Sequence, residues 1–339
     1  MTAGGRAAEM AAFLDRHGFD GAAPAPLAGD ASFRRYWRVA AGDGTAVLMD
    51  APPDREDTGR FVAVASYLRS AGYSAPEVLA MDPARGFLLL EDLGDEKLSA
   101  LARGARAGSG HYELAVDLLA DLHGRRPPPD TPPYDGALLA AEASLFVEWY
   151  LPAIDAAPAP AARAAFDDLW REALAPYAGV RDVLVLLDYH ADNLMWLGHR
   201  QGLARLGLLD FQDAVAGHPA YDLVSLLEDA RLDVDDGMAA AMFARYVAAT
   251  NRDPAAFGAA YATLGAQRNT KIIGIFSRLA LRDGKPGYLA MIPRVWRHLE
   301  RDLAHPALGG LRAWYGRHVP AARPAPEMPP ARTGGRRRR

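Results

Sequence analysis

A lone β element inside a long helical stretch constrains this chain more than any other feature of its sequence. From about residue 109, apolar residues recur at i, i+3, i+4 spacing near 110–124, 138–152, 160–177, 219–231, 238–250, 255–265, 268–282 and 288–304, which predicts helices. Between the third and fourth of these the pattern changes to VLVLLDY, then NLMWL, the turn GHRQG and LGLLDF. Two apolar runs around such a turn predict an antiparallel hairpin centred near residues 200–202. Residues equidistant from the turn face each other, so Asn193 at the start of one strand lies near Asp210 at the end of the other. Asp188 sits on the loop entering the same open end, and three polar side chains converge where the apolar strands stop.

From the residue types alone three readings of these groups stand: a metal site, a phosphate site or neither. Asn193 and Asp210 offer the hard oxygens that bind Mg²⁺ together with substrate phosphates and water. Asp188, beside such a metal, is placed to accept a hydroxyl proton, as phosphoryl transfer to an alcohol requires. Taken singly, Asp and Asn are ordinary turn residues. Three neighbours have two readings each. His190 contacts substrate or satisfies nearby backbone groups, and Asp192 binds a substrate hydroxyl or caps the turn into Asn193. Asp213 joins the metal or substrate site or is a solvated loop acid. A metal-dependent hydrolase using His190, Asp192, Asp210 and His218 competes, but histidines 28 residues apart lack the spacing of zinc enzymes.

The first hundred residues read differently. FRRYWRV and TAVLMDA, separated by AAGDG, predict a β-hairpin, with the small-residue loop LAGDAS upstream. FVAVASYLRSAGY has helical spacing ended by Gly72, and VLAMD and GFLLLEDLGD predict two further strands. The layout is α+β, with a mostly-β lobe over 1–92, a mostly-α lobe over 93–322, and a disordered Pro-, Gly- and Arg-rich tail over 323–339.

Composition removes several function classes. With no cysteine there is no disulfide, thiolate nucleophile or Cys-based metal centre. A net charge of −4 gives no reason to expect nucleic acid as a partner. No run approaches the apolar length of a membrane span or a signal peptide, so the chain is expected to be a cytoplasmic monomer without a membrane partner. Lysine occurs three times against 35 arginines, a bias able to replace any lysine that function does not require.

Asp188-x4-Asn193 followed by Asp210 resembles the catalytic-loop and metal pattern of aminoglycoside phosphotransferases and choline kinases, which are protein-kinase-like small-molecule kinases. DASFRRYWRV, VLMDAPPDRED, FLLLEDLGD, DYHADNLMWL and LLDFQDAVAGHPAYDLVSLLEDAR are similar to blocks of the subgroup that phosphorylates N-acetylmuramate and N-acetylglucosamine at the anomeric hydroxyl in cell-wall recycling. The resemblance runs from about residue 29 to about residue 305. It implies a bilobal protein-kinase-like fold, with ATP and Mg²⁺ as cofactors and a small sugar as acceptor. Asp188 would be the base, while Asn193 and Asp210 would hold Mg²⁺. The backbone of Glu91, Asp92 and Leu93 would bind adenine, and a loop over 29–33, including Ser32 and Phe33, would cover the phosphates. His190, Asp192 and Asp213 would face the substrate, and Asp222 would brace the catalytic loop. Aminoglycosides, choline and a non-catalytic nucleotide-binding role are the alternatives.

Two departures from the family pattern stand out. Leu186-Leu187-Asp188 replaces the usual His-Gly-Asp or His-Arg-Asp. The strand AVLMDAPP carries no phosphate-binding lysine, and the helix after it carries no acid to pair with one; Glu56 and Asp57 come just before it. Arg34, Arg35 and Arg38 on the neighbouring strand can supply a cation instead, with Arg35 preferred and with Arg34 and Arg38 sharing the opposite face.

Overall fold

The computed structural model describes residues 3–27, 33–42, 44–104 and 108–328. Ser32 and the rest of the expected phosphate loop except Phe33 lie outside the described residues, as does the tail from residue 329. The chain forms two compact units: Met1–Pro132 with Leu184–Val215, and Pro133–Val183 with Ala216–Arg339.

The first unit carries a five-stranded sheet in the order β1-β2-β3-β5-β4. Its strands are β1 (Ala25–Pro26), β2 (Arg35–Ala41), β3 (Gly44–Asp50), β4 (Val78–Asp82) and β5 (Phe87–Glu91). The expected hairpin forms between β2 and β3, with Arg35 opposite Asp50 and Ala41 opposite Gly44. An N-terminal helix, α1 (Ala3–Arg16), packs Phe13 and Leu14 with Val39, Ala46, Leu48, Phe87 and Leu89. The sequence reading misses α1 because alanine and glycine leave it few large apolar residues to mark a face. Helix α2 (Thr58–Ser70) starts three residues before the expected position, since Asp57 caps it by accepting from the Gly59 N–H at 2.8 Å. Helices α3 (Leu98–Arg103) and α4 (Ser109–Leu122) follow, then strands β6 (Val183–Val185), β7 (Leu194–Trp196) and β8 (Leu206–Leu208).

The second unit is helical apart from β9 (Val215–Gly217). It contains α5 (Gly136–Leu145), a π-helical turn over Phe146–Tyr150, α6 (Leu151–Ala153), α7 (Pro160–Leu174), α8 (Ala220–Leu227), α9 (Asp236–Thr250), α10 (Pro254–Leu281), α11 (Ile292–Leu303) and α12 (Gly309–His318). The two helices expected over 255–265 and 268–282 are one helix of 28 residues, α10. The apolar spacing breaks at Gln267, Arg268, Asn269 and Thr270, yet all four are buried with partners. Gln267 donates to the Leu139 carbonyl at 2.9 Å, Arg268 to Ser225 at 2.8 Å, and Asn269 to Glu228 at 2.6 Å and to Asp302 at 2.9 Å, while Thr270 meets the Tyr315 hydroxyl at 2.7 Å. Polar groups satisfied in this way continue the helix through the core.

The tail expected to be disordered from residue 323 begins with anchored residues. Arg323 pairs with Glu300 at 3.1 Å and lies over the Trp296 ring at 4.9 Å, and the Pro324 carbonyl accepts from the Tyr150 hydroxyl at 2.8 Å. Among the described residues no helix is long and apolar enough to cross a membrane.

Helix α10 owes its close seat to Gly274. A methyl group there would lie 2.4 Å from the Leu145 carbonyl carbon and 2.6 Å from the Phe146 nitrogen. Gly274→Ala is therefore expected to lower stability by about 3 kcal/mol, because rigid backbone cannot yield as a side chain can. Urea unfolding checks this, and a midpoint equal to that of the wild type would refute it.

Candidate active site

The β7–β8 hairpin forms as expected, with Leu194 opposite Leu208 and Trp196 opposite Leu206. Leu209 N–H donates to the Asn193 carbonyl at 3.0 Å, so Asn193 stands opposite Leu209 and Asp210 lies one residue further, at the open end. Strand β8 is held to the N-terminal part of the unit by the Leu208 N–H, which donates to the Ser74 carbonyl at 2.8 Å. On the other strand the Trp196 N–H donates to the Glu96 carbonyl at 2.6 Å.

The loop before β7 folds back on itself. The Asp188 carbonyl accepts from the His190 N–H at 3.0 Å and from the Asn193 side-chain Nδ2 at 3.0 Å, and the Asn193 N–H donates to the His190 carbonyl at 2.9 Å. Asn193 thus spends its amide nitrogen inside the loop, which fixes the plane of its amide and leaves Oδ1 as the acceptor of that side chain. Buried Tyr189 anchors the loop by donating to the Ala115 carbonyl at 2.9 Å. The Asp188 side chain is exposed.

Both ends of the constellation hold unfavourable backbone. Leu187 has φ +68° and Asp210 φ +57°, in the left-handed region that side chains other than glycine rarely occupy. For leucine this costs roughly 1–3 kcal/mol, and such strain persists where surrounding structure imposes it. Buried Leu186 stands where the resemblance places a histidine, and strained Leu187 where it places the following glycine or arginine.

Asp210 is surrounded by charge. Burial pushes its carboxyl above the ordinary range, the Asp188 carboxylate adds to this, and the Gln212 amide and Arg34 oppose it. Gln212, 3 % exposed, donates through one nitrogen to Asp210 at 3.0 Å and to Asp213 at 2.9 Å. Arg34 lies 3.5 Å from Asp210, 3.7 Å from Asp213 and 3.4 Å from Glu56. Burial also pushes the neighbouring Tyr36 hydroxyl up to about 12. Helix α2 supports the segment from the side, with the Phe61 and Phe211 rings 5.0 Å apart and Arg60 donating to the Ala214 carbonyl at 3.3 Å.

The expected hinge residues lie at the end of β5. The Glu91 N–H donates to the Glu77 carbonyl at 2.8 Å, and its carboxylate is held by Arg69 at 3.2 Å and by Arg200. Burial alone would raise the Asp92 carboxyl, but the Arg38 fork at 2.6 and 3.0 Å and the Gly94 N–H hold it below the usual range. Leu93 packs with Met195, Leu197 and Leu209 in an apolar floor. Gly207 makes this floor possible, since a Cβ there would lie 2.8 Å from Leu93 Cδ1.

Other expected residues fall less uniformly. His190 is buried within the loop, Asp192 accepts from the Ser99 hydroxyl, and Asp213 is exposed beside Gln212. Arg34, not Arg35, is brought to the acidic cluster, and Arg35 is exposed. His218 receives the Ala220 N–H at 3.2 Å and packs its ring against Phe257 and Tyr177, a structural use. The sequence reading missed Gln212 as a bridge, Ser99 as a partner and the Arg34–Glu56 pair. Glu56, noted just before α2, was the available signal for that pair.

Among the described residues no three His, Cys, Asp or Glu side chains converge on one point. Asn193 and Asp210 offer one amide and one carboxylate oxygen, hard donors of the kind that could hold Mg²⁺ with phosphates and water completing its shell.

The model of the phosphotransferase enzyme family matches residues 24–257. An N-acetylmuramate/N-acetylglucosamine kinase of Caulobacter vibrioides is 40 % identical, covering 93 % of this chain and 97 % of its own. A protein of the same name from Pseudomonas aeruginosa is 37 % identical over 82 % of this chain and 83 % of its own. Among solved structures, a choline/ethanolamine kinase family protein from Mesorhizobium loti shares the fold at a TM-score of 0.61 and 19 % identity, covering 92 % of this chain and 97 % of its own.

Proposed function

The chain belongs to the phosphotransferase enzyme family, and from that premise we propose that it transfers the terminal phosphate of ATP, with Mg²⁺, to the anomeric hydroxyl of N-acetylmuramate or N-acetylglucosamine. The product is the sugar 1-phosphate, a form suited to cell-wall recycling in the cytoplasm. The two curated relatives support the acceptor class. The observation that supports the chemistry is the Asn193 amide nitrogen tied to the Asp188 carbonyl at 3.0 Å, at the open end of the hairpin where Asp210 follows Leu209, with the Asp188 side chain exposed.

In this reading Asp188 takes the proton of the attacking hydroxyl. An anomeric hydroxyl is more acidic than an ordinary alcohol, so a carboxylate suffices as its base. Asn193 and Asp210 would hold Mg²⁺, which when bound neutralises phosphate charge. The surplus of negative charge around Asp210 is the feature that such a cation relieves. With the Glu91 N–H already given to Glu77, the Leu93 N–H is the donor for a purine edge, and the apolar floor beneath it takes the purine face. Residues 1–92, with Ser32 and Phe33 in the loop over 29–33, cover the nucleotide, and 93–322 carry the catalytic loop. Asp213 and Asp192 are proposed to face the sugar, and His190 to support the loop from within.

Purified protein with ATP and Mg²⁺ should release ADP with N-acetylmuramate or N-acetylglucosamine, and phosphorus NMR should show an anomeric phosphate. Phosphate at another carbon, or turnover only with choline or an aminoglycoside, would overturn the assignment.

A further inference from the structure

Two acidic side chains that the chemistry above does not use lie inside the helical unit. Glu228, which caps the C-terminus of α8, is 0 % exposed, and Asp302, the second-to-last residue of α11, is 3 % exposed. Both take the same donor. The Asn269 Nδ2 group, on α10, lies 2.6 Å from Glu228 and 2.9 Å from Asp302. An amide nitrogen carries two hydrogens, so each acid receives one and the two are held side by side. Helix α10 presses on Asp302 directly: a Cβ at Gly265, one turn before Asn269, would lie 2.8, 3.0 and 3.1 Å from the three heavy atoms of its carboxyl.

The surrounding groups do not offset two carboxylates. Among the described residues Arg301 of α11 stands 3.4 Å from Glu228, longer than the ~2.7–2.9 Å of a strong charge-assisted bond, and it is shared with Asp236 of α9 at 2.8 Å. Burial pulls the His298 imidazole of α11 below its ordinary value, so it adds little positive charge. Burial and the Glu228 charge push the Tyr261 hydroxyl of α10 well above its usual range. Asp229, buried next to Glu228, takes the Arg231 N–H at 2.7 Å and is a further acid. Two like charges buried beside a half-exposed cation are costly, whereas one proton between them leaves a single charge and turns repulsion into a hydrogen bond. In agreement, burial pushes the Asp302 carboxyl well above its ordinary range, and Glu228 adds to this.

We propose that Glu228 and Asp302 hold one proton between them, and that this proton is a pH-sensitive fastening of the end of α8 to α10 and α11. The inference is independent of the kinase reading. A proton bound in the folded state and absent from the unfolded one stabilises the fold most at low pH, and its contribution is lost as pH rises through the folded-state value. The fastening therefore loosens on the alkaline side.

Asp302→Asn copies the protonated form, since its amide can donate to Glu228 at any pH. Its melting temperature should gain on the wild type by about 2 °C per pH unit above pH 5, until Asp302 itself ionises. Infrared spectra supply a direct readout. At pH 6 the wild type should show a protonated-carboxyl band that Asp302→Asn lacks, and Glu228→Gln, which removes the repelling charge, should lower the pH at which that band disappears. Melting temperatures of wild type and Asp302→Asn that run parallel from pH 5 to 8, or the same carboxyl band in both at pH 6, would overturn the inference. Should Asp302→Asn fail to fold, the other variant decides: a band that vanishes at the same pH in wild type and Glu228→Gln means that the two acids share no proton.

Discussion

Asp188→Asn is expected to lower the turnover of the amino sugar by between about 10² and 10⁴, the usual contribution of a positioned general base. The substitution is isosteric. The Asp188 carbonyl, not its carboxylate, receives the Asn193 amide and the His190 N–H, so the loop keeps its internal bonds. The side chain is exposed and is replaced by one of the same shape. Thermal stability and MgATP affinity should therefore stay near wild type while kcat collapses. Single-turnover kinetics with matched calorimetry would separate the two quantities. Wild-type kcat in this variant would mean that another group accepts the proton.

Asp210→Asn is expected to lose about 100- to 1,000-fold in kcat, the range seen when one preorganised charge-stabilising group is removed. Its effect on stability should have the opposite sign. Burial and the neighbouring Asp188 hold the folded-state carboxyl of Asp210 above its ordinary range. A carboxyl raised on folding contributes stability that is whole below the unfolded value and is lost as pH rises through the folded one. At neutral pH without metal the ionised Asp210 is thus a burden, and the asparagine variant should melt at a higher temperature. The gap should narrow as pH falls through the raised folded-state range of the wild-type carboxyl, and it should shrink again at pH 7 when Mg²⁺ is added. Melts from pH 4 to 8 in a chelator, repeated with Mg²⁺, test this. A variant less stable than wild type at pH 7 without metal would show that Asp210 is not under electrostatic load.

The hairpin was legible because its information is local. Two apolar runs about a glycine-containing turn settle the pairing, and the observed centre at residue 201, from Leu194 opposite Leu208, falls inside the expected 200–202. Each further residue along a strand has its partner assigned by that register, which is why Asn193, Asp210 and Asp188 could be assembled on paper. The same method divided α10 in two, because Gln267, Arg268, Asn269 and Thr270 look like a surface break until their partners on other segments are known. It also passed over α1, whose apolar face is only a few residues wide.

Which arginine meets the acidic cluster lay beyond local pattern. Alternation along the strand separated Arg35 from Arg34 and Arg38, but three arginines in five positions carry no mark of which one meets an acid. That depended on Glu56, 22 residues away, and on Asp210, 176 residues away. The bridging by Gln212 and the left-handed backbone at Leu187 and Asp210 were equally out of reach, since both arise from what surrounding segments impose. By itself the sequence determined most of the elements, though not α1 or the continuity of α10, and with them the hairpin register and the residue types at its open end, because these follow from short-range periodicity. The tertiary structure alone decided which charges meet, since ion pairs are set by distances between segments that no local spacing encodes.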